Sequence, residues 1–145
     1  MNDPEACIHA CTKLLRGEIS AIETYTLAIG KCDEELVVRT LDRIRDDHEL
    51  NANILRFHLS ALGGIPAHNS LVPDAMASKL EGAAALLSDH TAISALIGRE
   101  RSRIREYESV LEDPHVREEI KVRLRGENLP RLRDHVESLN VVTGR

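Results

Sequence analysis

The stretch GEISAIETY, residues 17–25, decides the fold of this chain, because a similar stretch, RERSRIREY, occupies residues 99–107. The two stretches carry identical residues at four positions: Glu18 and Glu100, Ser20 and Ser102, Ile22 and Ile104, and Tyr25 and Tyr107. In each stretch a glutamate and a tyrosine stand seven residues apart, which places them on one face of a helix. The sequence therefore sets the same carboxylate into the same apolar surroundings twice.

Around both stretches, apolar residues recur at alternating spacings of four and three residues, the pattern of a seam that faces a bundle interior. The first seam consists of Cys11, Leu15, Glu18, Ile22, Tyr25 and Ile29, and the later one of Ile93, Ile97, Glu100, Ile104, Tyr107 and Leu111. A third seam consists of Val37, Leu41, Ile44, His48, Asn51, Leu55 and Leu62, with His58 also on it. A buried polar group is costly unless it is paired or bound to a cation. Glu18, His48 and Glu100 are therefore the candidate functional residues.

Start and stop signals predict long helices over about 4–30, 34–62, 90–112 and 114–142, within one domain that spans 1–145. Asp3-Pro4 and Asp113-Pro114 each place a capping side chain before a proline at the first helical position. Gly63-Gly64 ends the second helix. Pro130 cannot donate a helical hydrogen bond, so the sequence predicts a kink between 126 and 130 in the last helix.

The segment between the second and third long helices reads IPAHNSLVP and then DAMASKLEGAAALLSD. It is longer than a hairpin connection needs, and its second part predicts a short amphipathic helix over about 75–88. Such a connection can travel the length of a bundle. The predicted fold is therefore all-α, a four-helix bundle in which two hairpins are joined by one long crossover that carries the short helix.

The fourth polar residue of the bundle interior follows from counting away from each predicted turn, since equidistant residues of a hairpin lie level. This count sets Glu18 level with His48, and Glu100 level with Glu127. His135 follows an Arg-Asp-His string that resembles the sequence before His48, but it lies roughly eight residues too far along, or about 12 Å. The count therefore selects Glu127 and excludes His135.

A glutamate from each of two helices, polar positions on the other two, and a crossover after the second helix together resemble the ferritin-like superfamily. That superfamily includes the rubrerythrins and the di-iron or di-manganese carboxylate proteins. The text GExxAxxxY on the first helix and the LGGxP ending of the second are similar to a bacterial branch of it whose role is uncharacterised. The resemblance implies that Glu18 and Glu100 hold the metal-ligand positions of the first and third helices.

The second and fourth helices depart from the di-metal pattern, which has Glu-x-x-His on each of them. The corresponding text is HELN over 48–51 and ENLP over 127–130. The literal Glu-x-x-His from Glu112 to His115 straddles a predicted helix break. Without two bridging carboxylates and two imidazoles, we do not expect a di-iron oxidase, and the sequence identifies no catalytic residue.

Two interpretations of the site stay open. In the first, Glu18, His48, Glu100 and Glu127 hold one divalent metal, which could be Zn²⁺, Mn²⁺ or Fe²⁺. In the second, the same residues form a metal-free polar network in a structural or interaction bundle that self-associates as a dimer. Further polar residues lie on or near the seams: Asn51, Tyr25, Tyr107 and Arg131. We expect both tyrosines to pack in the core with a hydroxyl partner.

A smaller alternative site lies at one end of the predicted bundle. Cys7 and Cys11 are one turn apart, and the hairpin count sets His58 level with Cys7. These residues could bind zinc or form a thiol site, whereas the alternative is that the cysteines are small core residues.

The composition excludes several function classes. A formal net charge of −5, with basic residues interleaved among acids, argues against nucleic acid as a partner. There is no secretory signal, and the longest apolar run is far short of the roughly 20 residues that a membrane span needs. With three cysteines expected to be reduced, the sequence predicts a cytoplasmic protein without a membrane partner.

Overall fold

The structure is a computed structural model that describes residues 3–64 and 89–143. All regular secondary structure in these two ranges is helical, which confirms the predicted all-α class. The elements are α1 Pro4–Lys31, α2 Glu35–Ala61, α3 Asp89–Glu112, α4 Glu118–Arg123, a π-helical turn Leu124–Asn128, and α5 Leu129–Thr143. The ends of α1, α2 and α3 agree with the predicted helices to about two residues, the usual spread of helix boundaries. The predicted helix over 75–88 and the crossover lie outside the described residues.

The ends of the first hairpin are set by local side-chain and backbone chemistry. Asp3 caps α1 by accepting a hydrogen bond from the backbone N–H of Glu5 at 3.0 Å, and Pro4 opens the helix. After α2, Gly63 adopts a φ of 82°, which a residue with a Cβ rarely adopts. The backbone N–H of Gly64 then donates to the carbonyl of Leu59 at 2.8 Å and satisfies the end of the helix.

The predicted start of the last helix at Asp113-Pro114 is wrong. The side chain of Asp113 accepts a hydrogen bond from the backbone N–H of His115 at 2.9 Å. The backbone carbonyl of Asp113 accepts another from the backbone N–H of Val116. These bonds hold the chain in a turn, because an aspartate side chain competes with the helix for backbone donors. The helical run begins only at Glu118.

The helices form a closed ring in which α1 packs against α2 and α3, and α5 packs against α2 and α3. Neighbouring helices are antiparallel. Between α1 and α3, Glu18 faces Tyr107 while Tyr25 faces Glu100, so the pairing runs in opposite directions. The end of α2 and the start of α3 consequently lie at opposite ends of the bundle. None of the helices in the described ranges combines the length and the hydrophobicity needed to cross a bilayer.

In the two described ranges, two largely aliphatic clusters fill the interior, one toward each end of the bundle. The first includes Leu15, Leu55, Leu124 and Leu132, and the second includes Ile44, Ile97, Leu139 and Val142. Glu18, His48 and Glu100 lie in the layer between these clusters. Each long helix thus changes from apolar to polar and back at the same level.

Candidate metal centre

Four buried polar side chains meet in the layer between the two clusters, one from each of α1, α2, α3 and α5. They are Glu18, His48, Glu100 and His135, and none has more than 1% of its surface exposed. The structure therefore brings together three of the four predicted residues, with His135 in the fourth position. The two imidazole rings lie 4.9 Å apart between their centroids.

His48 bridges the two glutamates of the repeated stretch. Its Nδ1 lies 2.5 Å from Oε1 of Glu18, and its Nε2 lies 2.8 Å from Oε2 of Glu100. Burial alone lowers the pKa of His48, but the two carboxylates outweigh burial and raise that pKa to about 9. In the metal-free protein the ring is therefore an imidazolium that donates to both carboxylates at neutral pH.

His135 makes a second bridge of the same kind. Its Nδ1 lies 3.1 Å from Oε1 of Glu100, and its Nε2 lies 2.8 Å from Oδ2 of Asp47. Burial raises the pKa of Glu100, but His48 and His135 together hold it well below its usual range. Glu100 is thus a buried carboxylate that stays ionised between two imidazoles.

Each tyrosine of the repeated stretch binds the glutamate of the other copy. Tyr25 donates to Oε2 of Glu100 at 2.6 Å, and Tyr107 donates to Oε2 of Glu18 at 2.5 Å. Burial, followed by the nearby carboxylates, raises the pKa of both tyrosines well above its usual value. The phenols therefore remain protonated donors. The repeat thus builds a crossed pair, in which each tyrosine orients the carboxylate of the other helix.

A second layer of amides extends from Glu18 toward the surface. Asn51 donates to Oε2 of Glu18 at 3.2 Å and accepts from Nη1 of Arg131 at 3.2 Å. Asn128, inside the π-helical turn, donates to the hydroxyl of Tyr107 at 3.0 Å. These contacts place two of the four predicted polar neighbours, Asn51 and Arg131, on a continuous path from the centre to the outside.

The arrangement fits a metal ion at one side of the layer. His48, Glu100 and His135 each offer one ligand atom, and these atoms all lie within 4.8 Å of one another. The remaining nitrogen of each ring faces a carboxylate, Glu18 for His48 and Asp47 for His135. A carboxylate in that place fixes the tautomer of a ligating histidine and makes it more basic. Two imidazoles and one carboxylate suit Zn²⁺, Mn²⁺ or Fe²⁺ and leave coordination positions open.

The structure does not bring Glu127 into this layer. Its side chain is 39% exposed and pairs with Arg123 and Arg131 at the surface. The reason is the π-helical turn over Leu124–Asn128, because one extra residue in a turn rotates the helix face by about 100°. Asn128 faces inward in consequence, and Glu127 faces out.

The sequence prediction that His135 lies too far along the helix is wrong. Besides the π-helical turn, the direction of helical side chains contributes to the error. Helical side chains lean toward the N-terminus of their own helix, so in an antiparallel pair the two sets lean in opposite directions. Glu100 leans away from the α3–α4 turn, while the imidazole of His135 leans back toward it. Counting Cα positions therefore misplaced the functional atoms. The Arg-Asp-His string was the signal that could have identified His135, whereas nothing in the sequence singled out Asp47.

The alternative site at Cys7, Cys11 and His58 does not form. Among the described residues, the trio at the centre is the one group of three whose ligand atoms lie this close together. Cys7 instead contacts the α3–α4 turn, where its Sγ accepts from the backbone N–H of Arg117 at 3.4 Å. Burial, followed by the nearby Cys7, raises the pKa of Cys11 to about 12, so this side chain is a neutral thiol.

Comparison with family models, curated proteins and solved structures found no match to this chain.

Proposed function

We propose that this protein binds one divalent transition-metal ion through Nε2 of His48, a carboxylate oxygen of Glu100 and Nδ1 of His135. One observation carries the proposal. Each imidazole has one nitrogen beside an orienting carboxylate, Glu18 or Asp47, and its other nitrogen beside Glu100. Glu18 and Asp47 then orient the ligands and are not ligands themselves. Glu127 has no part in the site.

We further propose that the bundle is of the ferritin-like kind. The closed ring of antiparallel neighbours supports this proposal, as do the opposite positions of the end of α2 and the start of α3. We also propose a cytoplasmic location, which is supported by Cys7 and Cys11, both free thiols in the structure.

The second candidate function is a metal-free structural bundle that self-associates as a dimer. It is favoured by the pairing of the two buried glutamates, since both carboxylate oxygens of Glu18 and of Glu100 already accept hydrogen bonds. A satisfied network is stable without an ion. The two candidates differ in whether protons or a cation occupy the centre.

Metal titration of the protein, after chelator treatment and desalting, separates the two candidates. We expect one Zn²⁺, Mn²⁺ or Fe²⁺ per chain by calorimetry and elemental analysis, with a rise in thermal stability on binding. Glu100→Gln and His135→Ala each remove one ligand and should weaken metal binding at least about tenfold. Loss of an orienting partner alone already lowers metal affinity by about that factor. Glu127→Gln is the matched control and should bind as the unaltered protein does. Binding that survives both ligand changes, or no binding at all, contradicts the metal proposal.

A further inference from the structure

A surface groove of about 390 Å³ lies between α2 and the helical run around the π-helical turn. One wall belongs to α2 and is apolar at Leu50, Ile54 and Phe57, with the polar Asn53 between them. Phe57 is 62% exposed and Leu50 is 48% exposed. An exposed aromatic and an exposed leucine in one concave patch are typical of a binding surface, and the volume is within the range of small-molecule sites.

The opposite wall carries two guanidinium groups and one carboxylate. Arg123 donates from Nε to Oε2 of Glu127. Nη2 of Arg131 lies 3.8 Å from Oε1 of Glu127, which is too long for a hydrogen bond. With two cations and one anion, this wall has a surplus of positive charge.

The guanidinium of Arg131 is held in place from inside the bundle. Its Nη1 donates to the buried Asn51 at 3.2 Å, and Asn51 in turn donates to Glu18. A guanidinium fixed at one edge can offer its other edge to a carboxylate at a low entropic cost. The groove thus combines a pre-positioned cation with an apolar wall.

We propose that this groove binds a small amphipathic monocarboxylate, with its carboxylate on Arg131 and its hydrocarbon chain against Leu50, Ile54 and Phe57. Guanidinium–carboxylate hydrogen bonds are among the stronger ones in proteins, and the apolar wall gains by covering its exposed surface. The carboxylate of Glu127 lies close to Arg131 and competes with the ligand's carboxylate for this guanidinium. This binding does not rest on a metal at the buried centre, because no groove residue belongs to the metal trio.

Calorimetry with octanoate, on protein from which metal has been removed, tests the proposal directly. We expect saturable binding of one octanoate per chain, and none of octylamine, which has the same chain and the opposite charge. Octanol tests whether the hydrocarbon chain alone is sufficient. Octanol binding as tight as that of octanoate overturns the proposal, as does the absence of saturable octanoate binding.

Matched variants locate the binding in the groove. Arg131→Gln should weaken octanoate binding at least about tenfold, whereas Arg133→Gln, two residues away and paired with Glu108, should not change it. Phe57→Ser should weaken binding, whereas Val141→Ser, which alters another exposed apolar residue, should not. Glu127→Gln should tighten binding, because it neutralises the internal competitor.

Two outcomes would assign the groove to something else. If Arg133→Gln weakens binding as much as Arg131→Gln, the ligand responds to overall charge and the proposal fails. If octanoate does not bind and Phe57→Ser converts a dimer into a monomer in light scattering, the groove is an interface between two copies of the chain. Should Arg131→Gln not fold, the surface changes Phe57→Ser and Glu127→Gln decide the question alone.

Discussion

At the scale of single residues, Glu100 connects α3 to three other helices of the bundle. It accepts hydrogen bonds from Tyr25 on α1, His48 on α2 and His135 on α5. Each of these donors is buried, so each contact is made in surroundings that strengthen electrostatic interactions. The repeated stretch accounts for the Tyr25 contact, because the tyrosine of each copy donates to the glutamate of the other copy. A metal ion would replace the proton on His48 that now faces Glu100.

The raised pKa of His48 predicts that the metal-free protein loses stability in mildly alkaline solution. The native pKa of about 9 lies above the ordinary value of 6.5, so the native state binds this proton more tightly than the unfolded state does. The resulting stabilisation is complete below pH 6.5 and is lost as the pH rises through 9, by roughly 3 kcal/mol in all. Urea unfolding of chelator-treated protein between these two pH values measures it.

The control for this pH effect is His9, which is exposed on α1. His9→Gln should leave the pH dependence unchanged, whereas His48→Gln should remove most of it. An equal pH dependence in unaltered protein and His48→Gln would show that the imidazolium between the two glutamates is not the source.

The π-helical turn decides, at the scale of elements, which side chains of the last helix reach the centre. The seams of α1, α2 and α3 could be predicted, because their four-and-three spacing follows one uninterrupted α-helical period. The last helix could not, since the period shifts by one residue within Leu124–Asn128. Pro130 indicated a disturbance there, but a kink and an extra residue in the turn have the same local signature. Glu127 was consequently selected in place of Asn128 and His135.

Alanine substitutions at two glycines near helix ends should change the free energy of unfolding in opposite directions. Gly63 has a φ of 82°, so Gly63→Ala should destabilise the fold by about 1 kcal/mol. Gly30 lies within α1, and an added Cβ there meets nothing within 4 Å. Gly30→Ala should therefore stabilise by up to about 1 kcal/mol, since alanine favours a helix. Chemical unfolding of both variants checks the pair. A stabilising Gly63→Ala would contradict the described end of α2.

At the scale of the whole molecule, the described residues form two aliphatic clusters separated by one polar layer. The sequence predicted the all-α class, three of the long helices and three of the four residues of the layer, because seam positions and polarity are local properties. It could not predict the partner of His135 or the role of Glu18. Those depend on which ring nitrogen faces which carboxylate, and only the packed arrangement of four helices determines that. Asp47, on the edge of its helix, shows this most clearly.

X-ray absorption of the zinc-loaded protein tests the metal centre most directly, because it reports the ligand atoms themselves. We predict a shell with two imidazole nitrogens at about 2.0–2.1 Å together with carboxylate or water oxygens, and the loss of one imidazole in His135→Ala. Glu127→Gln should leave the spectrum unchanged. A shell of oxygen ligands without imidazole, or one that His135→Ala leaves intact, would contradict the assignment of His48, Glu100 and His135.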